Sequence, residues 1–315
     1  MYKNKRISVS VPAYFEEKLI AKTIKSMPSY IDNIVVTNDG STDNTASEVK
    51  KMMAKDKRVY LIDSEKNEGI GASLLKAHDQ GIKYNADILV VMAGDNQMDP
   101  AELPKLLDPI IDGKADYSKG NRFFHTKDLN SMPKFRLFVN FVVSFLVKFS
   151  TGYWTVADPL NGYTALRAET YKQLDTEKIA KRYDFEISML VNLSLVGAIV
   201  KDLPIPARYG MEKSTIKLHK EAPRAIRTLF RGFFRRMFIR YTLFSFHPVA
   251  LFYSMGFLFM VWTFIWTIIA IVNTTVNHTT ATTTTVMLAV VPFIVGFELL
   301  LQAVTLDIYN EPKAD

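Results

Sequence analysis

The sequence contains no cysteine. Disulfides and thiolate metal sites are therefore excluded. Any bound metal must rest on oxygen or imidazole ligands, which favours Mg²⁺ or Mn²⁺ over structural zinc. A signal peptide is lacking too: in the opening MYKNKRISVSVPAY the apolar stretch is short and alternates like a strand. Repeats and long low-complexity tracts are absent. Basic charge is scarce outside one segment. The net charge is +7, yet Lys213–Arg240 alone holds nine Lys and Arg against one acid, Glu221, leaving the rest near −1. Basicity confined in this way fits a local anionic surface and argues against nucleic acid as a partner.

Charge disappears altogether from residues 246–272, FHPVALFYSMGFLFMVWTFIWTIIAIV. The run exceeds the roughly 20 residues needed to span a bilayer. Residues 286–306 form a second such run with a single acid, Glu298. The connecting NTTVNHTTATTTT is polar and uncharged. The positive-inside rule then places the basic segment, the domain before it and both termini in the cytoplasm, with the threonine-rich loop outside. Two N-x-T acceptor patterns, at Asn273 and Asn277, suit an external loop. A carboxylic acid in hydrocarbon is costly, so Glu298 should face a helix neighbour, and pairing of the spans between copies of the chain (a homo-oligomer) is expected.

What is present upstream is an alternation. ISVSV (7–11), NIVVT (33–37), RVYLI (58–62) and DILVVM (87–92) are short apolar, β-branched runs, separated by helical patterns over roughly 16–29, 43–55 and 70–83. A last strand and loop are expected near 200. This order predicts an α/β fold with a mostly parallel sheet flanked by helices. Ligands of such sheets bind beyond the C-terminal strand ends, where unusual polar residues cluster here. Within 222–241, Arg224, Arg227, Arg231 and Arg235 recur at helical spacing, with Leu229, Phe230, Phe233, Phe234, Met237 and Phe238 between them, a pattern suited to an anionic bilayer. Residues 135–150 read either as an interfacial helix pair or as a buried core helix. The expected organisation is an α/β domain (1–220), a basic amphipathic helix (221–244) and two spans (245–310).

At the fourth strand end, Asp99-Pro100-Ala101-Glu102 is a helix-capping signature, so Asp99 is structural. Asp95 has no such role. A loop acid between Gly94 and Asn96, just past a dry strand, points to chemistry.

The ordered set of turns is distinctive: Pro12-Ala13-Tyr14-Phe15-Glu16-Glu17, Asn38-Asp39-Gly40-Ser41-Thr42-Asp43, Asn67-Glu68-Gly69-Ile70-Gly71, and Gly94-Asp95-Asn96-Gln97. With them the chain resembles the family-two glycosyltransferases of GT-A (Rossmann-like) fold, specifically the polyprenyl-phosphate (dolichyl-phosphate) mannose and glucose synthases. The resemblance spans about residues 6–220 and the two-span tail. It implies that Glu16 and Asp39 hold the nucleoside, with Pro12 and Tyr14 shaping the turn. Gly69 and Gly71 would offer amides to the donor phosphates. Asp95 and Gln97 would hold Mg²⁺ or Mn²⁺ against the diphosphate. Lys119-Gly120-Asn121-Arg122 and Asp158-Pro159-Leu160-Asn161-Gly162-Tyr163-Thr164 resemble the acceptor segments, which makes Arg122 and Asn161 candidates for the acceptor phosphate. Arg208, Ser214 and Lys217 of a late loop would join them. Three positions depart from the family: Asn38 and Ala93 stand where acids are usual, and Thr164 where an arginine is, with Arg167 nearby.

A lipid phosphate is already anionic and needs no general base, which explains arginines on the acceptor side. The implied reaction is inverting transfer from a nucleotide-sugar, UDP-glucose or UDP-N-acetylglucosamine before GDP-mannose, to a membrane polyprenyl or dolichyl phosphate. The alternatives are a nucleotide-sugar-binding pseudoenzyme, or an enzyme acting on another lipid. A processive polysaccharide synthase is disfavoured because its Q-x-x-R-W motif is missing.

Overall fold

The computed structural model describes residues 1–123, 134–206, 218–276, 278 and 280–314. The chain divides into two units, Met1–Phe233 with Pro312–Asp315, and Phe234–Glu311. The division falls within the helix that the charge pattern sets apart as 221–244.

The first unit is built on seven strands: β1 (Ile7–Ala13), β2 (Asn33–Asp39), β3 (Val59–Ser64), β4 (Ile88–Val91), β5 (Tyr117–Asn121), β6 (Thr164–Arg167) and β7 (Val200–Pro204). They lie in the order β3-β2-β1-β4-β6-β5-β7. The first four are mutually parallel, β6 runs antiparallel between β4 and β5, and β7 is parallel to β5. Both faces of the sheet are covered, so the inner strands read as unbroken apolar runs. Their residues alternate between two cores. Ile88 and Val90 join Ile7, Val9 and Val11 on one face, while Leu89 joins Leu74, Leu166 and Leu190 on the other.

Helices α1 (Ile20–Ser26), α2 (Thr45–Met53) and α3 (Ile70–Lys83) fill the expected crossovers. α3 sits close to β1 because small residues face each other there: a Cβ at Gly81 would lie 2.8 Å from Ser8 Oγ. Ser10 Oγ meets His78 Nδ1 at 2.9 Å. Burial pushes the His78 imidazole down to about 4, so it is a neutral core histidine at pH 7. α4 (Leu103–Ile111) follows the cap predicted at Asp99, whose Oδ1 accepts the Ala101 amide at 3.0 Å.

The pattern of apolar runs misses β5 and β6. β5 is Tyr-Ser-Lys-Gly-Asn, polar yet buried, and β6 is only four residues long. Helix α5 (Lys134–Thr151) is one continuous helix where a pair or a core helix is expected. It buries Val147 and leaves Phe141, Phe145 and Leu146 exposed. α6 (Ala168–Gln173) and α7 (Phe185–Leu195) precede β7, and α8 (Leu218–Arg236) begins the basic segment. On α8, Leu229 is buried while Ile226 and Phe230 are exposed. Ser150 Oγ on α5 donates to the Leu229 carbonyl at 2.8 Å.

In the second unit α9 (Pro248–Thr275) and α10 (Thr283–Tyr309) form an antiparallel hairpin, each long and apolar enough to cross a membrane. Their backbones meet at paired glycines: a Cβ at Gly256 would lie 3.0 Å from the Gly296 carbonyl oxygen. Trp262 and Trp266 donate their indole N–H to the Leu288 and Thr285 carbonyls. A π-helical stretch, Met237–Leu243, precedes the hairpin. There Arg236 is bidentate to Asp307 at 2.5 and 2.9 Å, and Tyr241 OH donates to the same carboxylate at 2.5 Å.

Candidate active site

The order of strands reverses between β1 and β4, and the crevice beyond their C-terminal ends is the ligand position of such sheets. Three turns converge there. The first, after β1, is tied to the turn after β2. The Phe15 amide donates to Ser41 Oγ, Glu16 N to Thr45 Oγ1 and Glu17 N to Asp43 Oδ2. Phe15 takes φ +61° to make these contacts. Asp43 also accepts from Thr45 N and Oγ1. Burial opposes its charge, but these hydrogen bonds prevail and hold the carboxyl below its usual range. Asp43 is thus a structural clamp. Tyr14 stands half-exposed beside Glu16, its ring edge-on to Phe15 at 4.4 Å.

Asp39 is buried at the end of β2, and its two oxygens accept the amides of Glu68 and Gly69 at 2.8 and 2.9 Å. This carboxylate therefore organises the turn before α3. Gly69 and Gly71 lie close against another stretch of the chain. A Cβ at either would lie 2.4 Å from a carbonyl oxygen, Lys181 for Gly69 and Ala180 for Gly71. The close approach these glycines permit is to the chain's own backbone, and Ala72 N already donates to Lys181 O. Asn38 has a local explanation. Its amide donates to Asp63 Oδ1 at 2.7 Å, where a second carboxylate would meet a like charge.

The third turn carries Asp95. Gly94 N donates to the Pro12 carbonyl, and Thr23 Oγ1 donates to the Gly94 carbonyl at 2.8 Å, which fixes the loop against β1 and α1. Asn96 sits at φ +57°, and Asp95 Oδ1 accepts the Gln97 amide at 3.0 Å. Burial raises the Asp95 carboxyl above its ordinary value. A divalent cation would offset that cost. No cluster of three or more His, Asp or Glu suited to a metal exists among the described residues. The donor set fits an ion that takes one carboxylate and one amide from the protein and the remainder from phosphates.

The segments expected to hold the acceptor are β5 and the loop before β6. Arg122 Nε and Nη2 bond Asp158 at 2.7 and 3.0 Å, and the Arg122 amide donates to the same carboxylate at 3.2 Å. Asp158 is 1% exposed, yet 32% of the Arg122 side chain remains open. Lys119 is fully buried and donates to the carbonyls of Asp158 and Asn161 at 2.8 and 2.6 Å. Burial lowers its ammonium from the usual value. Asp202 on β7 accepts the Ala157 amide at 2.7 Å and Asn121 Nδ2 at 3.0 Å.

Asn161 is not available to a phosphate. Its Nδ2 donates to Gly120 O, its Oδ1 accepts Tyr163 N, and the residue is buried. Arg167 cannot replace an arginine at Thr164. The register pairs Thr164 with Val91 and Arg167 with Ile88, at opposite ends of β4. Arg167 instead pairs with Asp116 at 3.2 Å and donates to the Ile110 and Ala115 carbonyls. Arg208, Ser214 and Lys217 lie outside the described residues.

Glu186, at the start of α7, is an acid near the Arg122–Asp158 loop that the motifs miss. A Cβ at Gly162 would stand 3.5 Å from its Oε1 and 3.6 Å from Met98 Cε. Glu186 thus lies beside Gly162 in the loop before β6. Burial pushes its carboxyl up to about 7, with Lys119 and Arg122 opposing the shift. Its sequence signal is an acid directly ahead of an apolar helical run, Ile187–Leu193.

Comparisons with known proteins agree with this architecture. The chain is 28% identical over 228 residues to the UDP-N-acetylglucosamine–dolichyl-phosphate N-acetylglucosaminyltransferase of Methanococcus voltae, covering 67% of this chain and 90% of that one. It is 25% identical to the undecaprenyl-phosphate mannosyltransferase of Micrococcus luteus, over 64% of this chain and 82% of the relative. Among solved structures, glucosyl-3-phosphoglycerate synthase from Mycobacterium tuberculosis, in complex with Mn²⁺, UDP and phosphoglyceric acid, superposes with TM-score 0.57 at 20% identity, covering 73% of this chain and 78% of that one. The sequence model described as glycosyl transferase family 2 matches residues 8–175, more than half of the chain. The chain therefore belongs to glycosyl transferase family 2 and is a glycosyltransferase.

Proposed function

We propose that this glycosyltransferase moves a sugar from a nucleoside-diphosphate donor to a polyprenyl or dolichyl phosphate at a membrane. The observation that carries the reading is Arg122, oriented by the buried Asp158 with 32% of its side chain exposed. A guanidinium oriented in this way can lend its charge to the acceptor phosphate and offset repulsion between two phosphorylated substrates. The relatives that act on dolichyl and undecaprenyl phosphate support the acceptor class. UDP-N-acetylglucosamine is the preferred donor, after the Methanococcus voltae relative, with UDP-glucose and GDP-mannose next.

On the donor side, Glu16 and the open Tyr14 ring would receive the nucleoside. Asp39 contributes chiefly by holding the turn before α3. Asp95 and Gln97 would hold Mg²⁺ or Mn²⁺, which when bound stabilises the departing nucleoside diphosphate. The phosphate acceptor is a nucleophile without deprotonation, so the residues align it and screen charge, and inversion follows from in-line attack. The exposed Phe141, Phe145 and Phe230 would meet the bilayer surface, and α9 and α10 would cross it, with the basic segment on the cytoplasmic side.

The test is transfer of radiolabelled sugar to polyprenyl phosphate by the purified full chain. It uses a panel of UDP- and GDP-sugars, with Mn²⁺, Mg²⁺ or EDTA, and Asp95→Ala in parallel. The expected result is one lipid-extractable, metal-dependent product, lost in the variant. Nucleotide-sugar binding with no lipid product from any donor would overturn the reading.

A further inference from the structure

Helix α10 carries its only membrane-depth carboxylate on the wrong side for its partner helix. Gly296, Ala303 and Asp307 are the buried residues of α10, and Gly296 meets Gly256 of α9. Glu298 lies two residues past Gly296, about 200° around the helix, and is exposed. Gln302, one turn on, is also exposed and donates Nε2–H to Glu298 Oε1 at 3.0 Å. These two residues belong to a longer stripe. Val291, Val295, Glu298, Gln302, Thr305 and Tyr309 follow one another at alternating spacings of four and three, and all six are exposed. That is the heptad spacing of a helix–helix seam.

A carboxyl group facing lipid is costly, and the chain holds no lysine or arginine from Tyr241 to Pro312 that could neutralise it. We propose that this stripe is the contact surface for α10 of a second copy of the chain. The occupant follows from complementarity. Two copies inserted the same way bring identical residues to the same depth. Each Gln302 amide has a second N–H beyond the one given to its own Glu298, and each Glu298 has a second oxygen to accept it. The pair is therefore self-complementary across a twofold axis, with β-branched Val291, Val295 and Thr305 packing above and below. The proposal rests on the reading that α9 and α10 cross a membrane.

The absence of cysteine makes the test direct, because an introduced thiol is the only one in the chain. Single variants Val295→Cys and Thr305→Cys lie on the seam, while Phe293→Cys and Phe297→Cys lie off it. Each is expressed as the full chain, oxidised in isolated membranes and resolved without reductant. Disulfide-linked dimers are expected at 295 and 305 and not at 293 or 297. In the Val295→Cys background, Glu298→Leu should abolish the dimer and Glu298→Gln should retain it. A leucine there suits lipid, so loss of the dimer reports the contact and not failed insertion. Cross-linking that is absent, equal at all four positions, or directed to a protein of another mass overturns the proposal. Release of the protein from membranes by alkaline carbonate would instead overturn the membrane reading.

Discussion

The two units each hold a bidentate arginine–aspartate pair, and the pairs differ in one respect. In the hairpin unit, Arg236 and Asp307 are both 0% exposed, and Tyr241 also donates to the carboxylate. In the catalytic unit, Asp158 is equally buried but Arg122 keeps 32% of its side chain open. Identical chemistry therefore serves two ends. A pair closed on all sides fixes structure, and its guanidinium has no surface to offer a ligand. A pair whose carboxylate is buried and whose arginine stays partly exposed holds an oriented cation at the surface.

The largest effect should come from breaking the closed pair. Asp307→Ala leaves a buried guanidinium without its carboxylate and should cost about 3–5 kcal/mol, read as a drop in the thermal midpoint of the detergent-solubilised chain. Replacing both partners together, Arg236→Met with Asp307→Leu, should cost much less. A double variant as unstable as the single would mean the pair does more than satisfy its own charges.

Breaking the open pair should cost activity more than stability. Arg122→Ala is expected to lower the transfer rate by about 10²–10³ with UDP binding nearly unchanged, and to lower the thermal midpoint by less than Asp307→Ala, because the backbone amide at 122 and the nearby Lys119 ammonium still face the buried Asp158. Arg122→Lys should recover only part of the rate, because an ammonium keeps the charge but loses the fork to Asp158. If Arg122→Ala unfolds the protein as severely as Asp307→Ala, the distinction between the two pairs fails.

How much of this was legible in the sequence follows from the physics of each signal. Strands β1 to β4 and the two long helices announce themselves because burial on both faces, or in lipid, demands unbroken apolar runs. Strand β5 does not, because it buries Ser118, Lys119 and Asn121, whose polar atoms need partners from distant loops. Asp95 stood out as an acid with no capping role, and it does lie in a fixed, desolvated turn. Gly69 and Gly71 signal close approach without saying to what; here the backbone at 180 and 181 fills the space a Cβ would take. Asn161 and Arg167 lie near motif positions, but only the register and their carbonyl partners show them committed elsewhere. Glu186 could not be recognised from spacing, since it meets the acceptor loop across the fold.

Glu186 sharpens the comparison through pH. Its carboxyl is pushed up to about 7 in the folded chain, against roughly 4.3 when unfolded. The folded state thus binds the proton more tightly. Stability from this group is full below the unfolded value and falls as pH rises toward 7. Glu186→Gln removes the dependence. Its thermal midpoint should exceed that of the parent by more at pH 8 than at pH 5. An equal difference at both values would show that the group does not titrate in this window.

The smallest effect concerns the donor side, where Asn38 replaces an acid usual in the family. Its amide donates to Asp63, whose carboxylate is 45% exposed and also 3.8 Å from Lys50. Asn38→Asp converts that hydrogen bond into a contact between like charges, and should cost about 1 kcal/mol at neutral pH. Partial exposure and the nearby lysine keep the penalty small. Adding Asp63→Asn restores a donor opposite the new carboxylate, so the double variant should recover most of the loss, and the cycle should give a favourable coupling. Nucleotide affinity should change little in either variant, because the Asn38 amide N–H is directed to Asp63 on β3. If Asn38→Asp instead tightens nucleotide binding while leaving stability unchanged, the asparagine reflects a weakened donor site, and the account based on Asp63 is wrong.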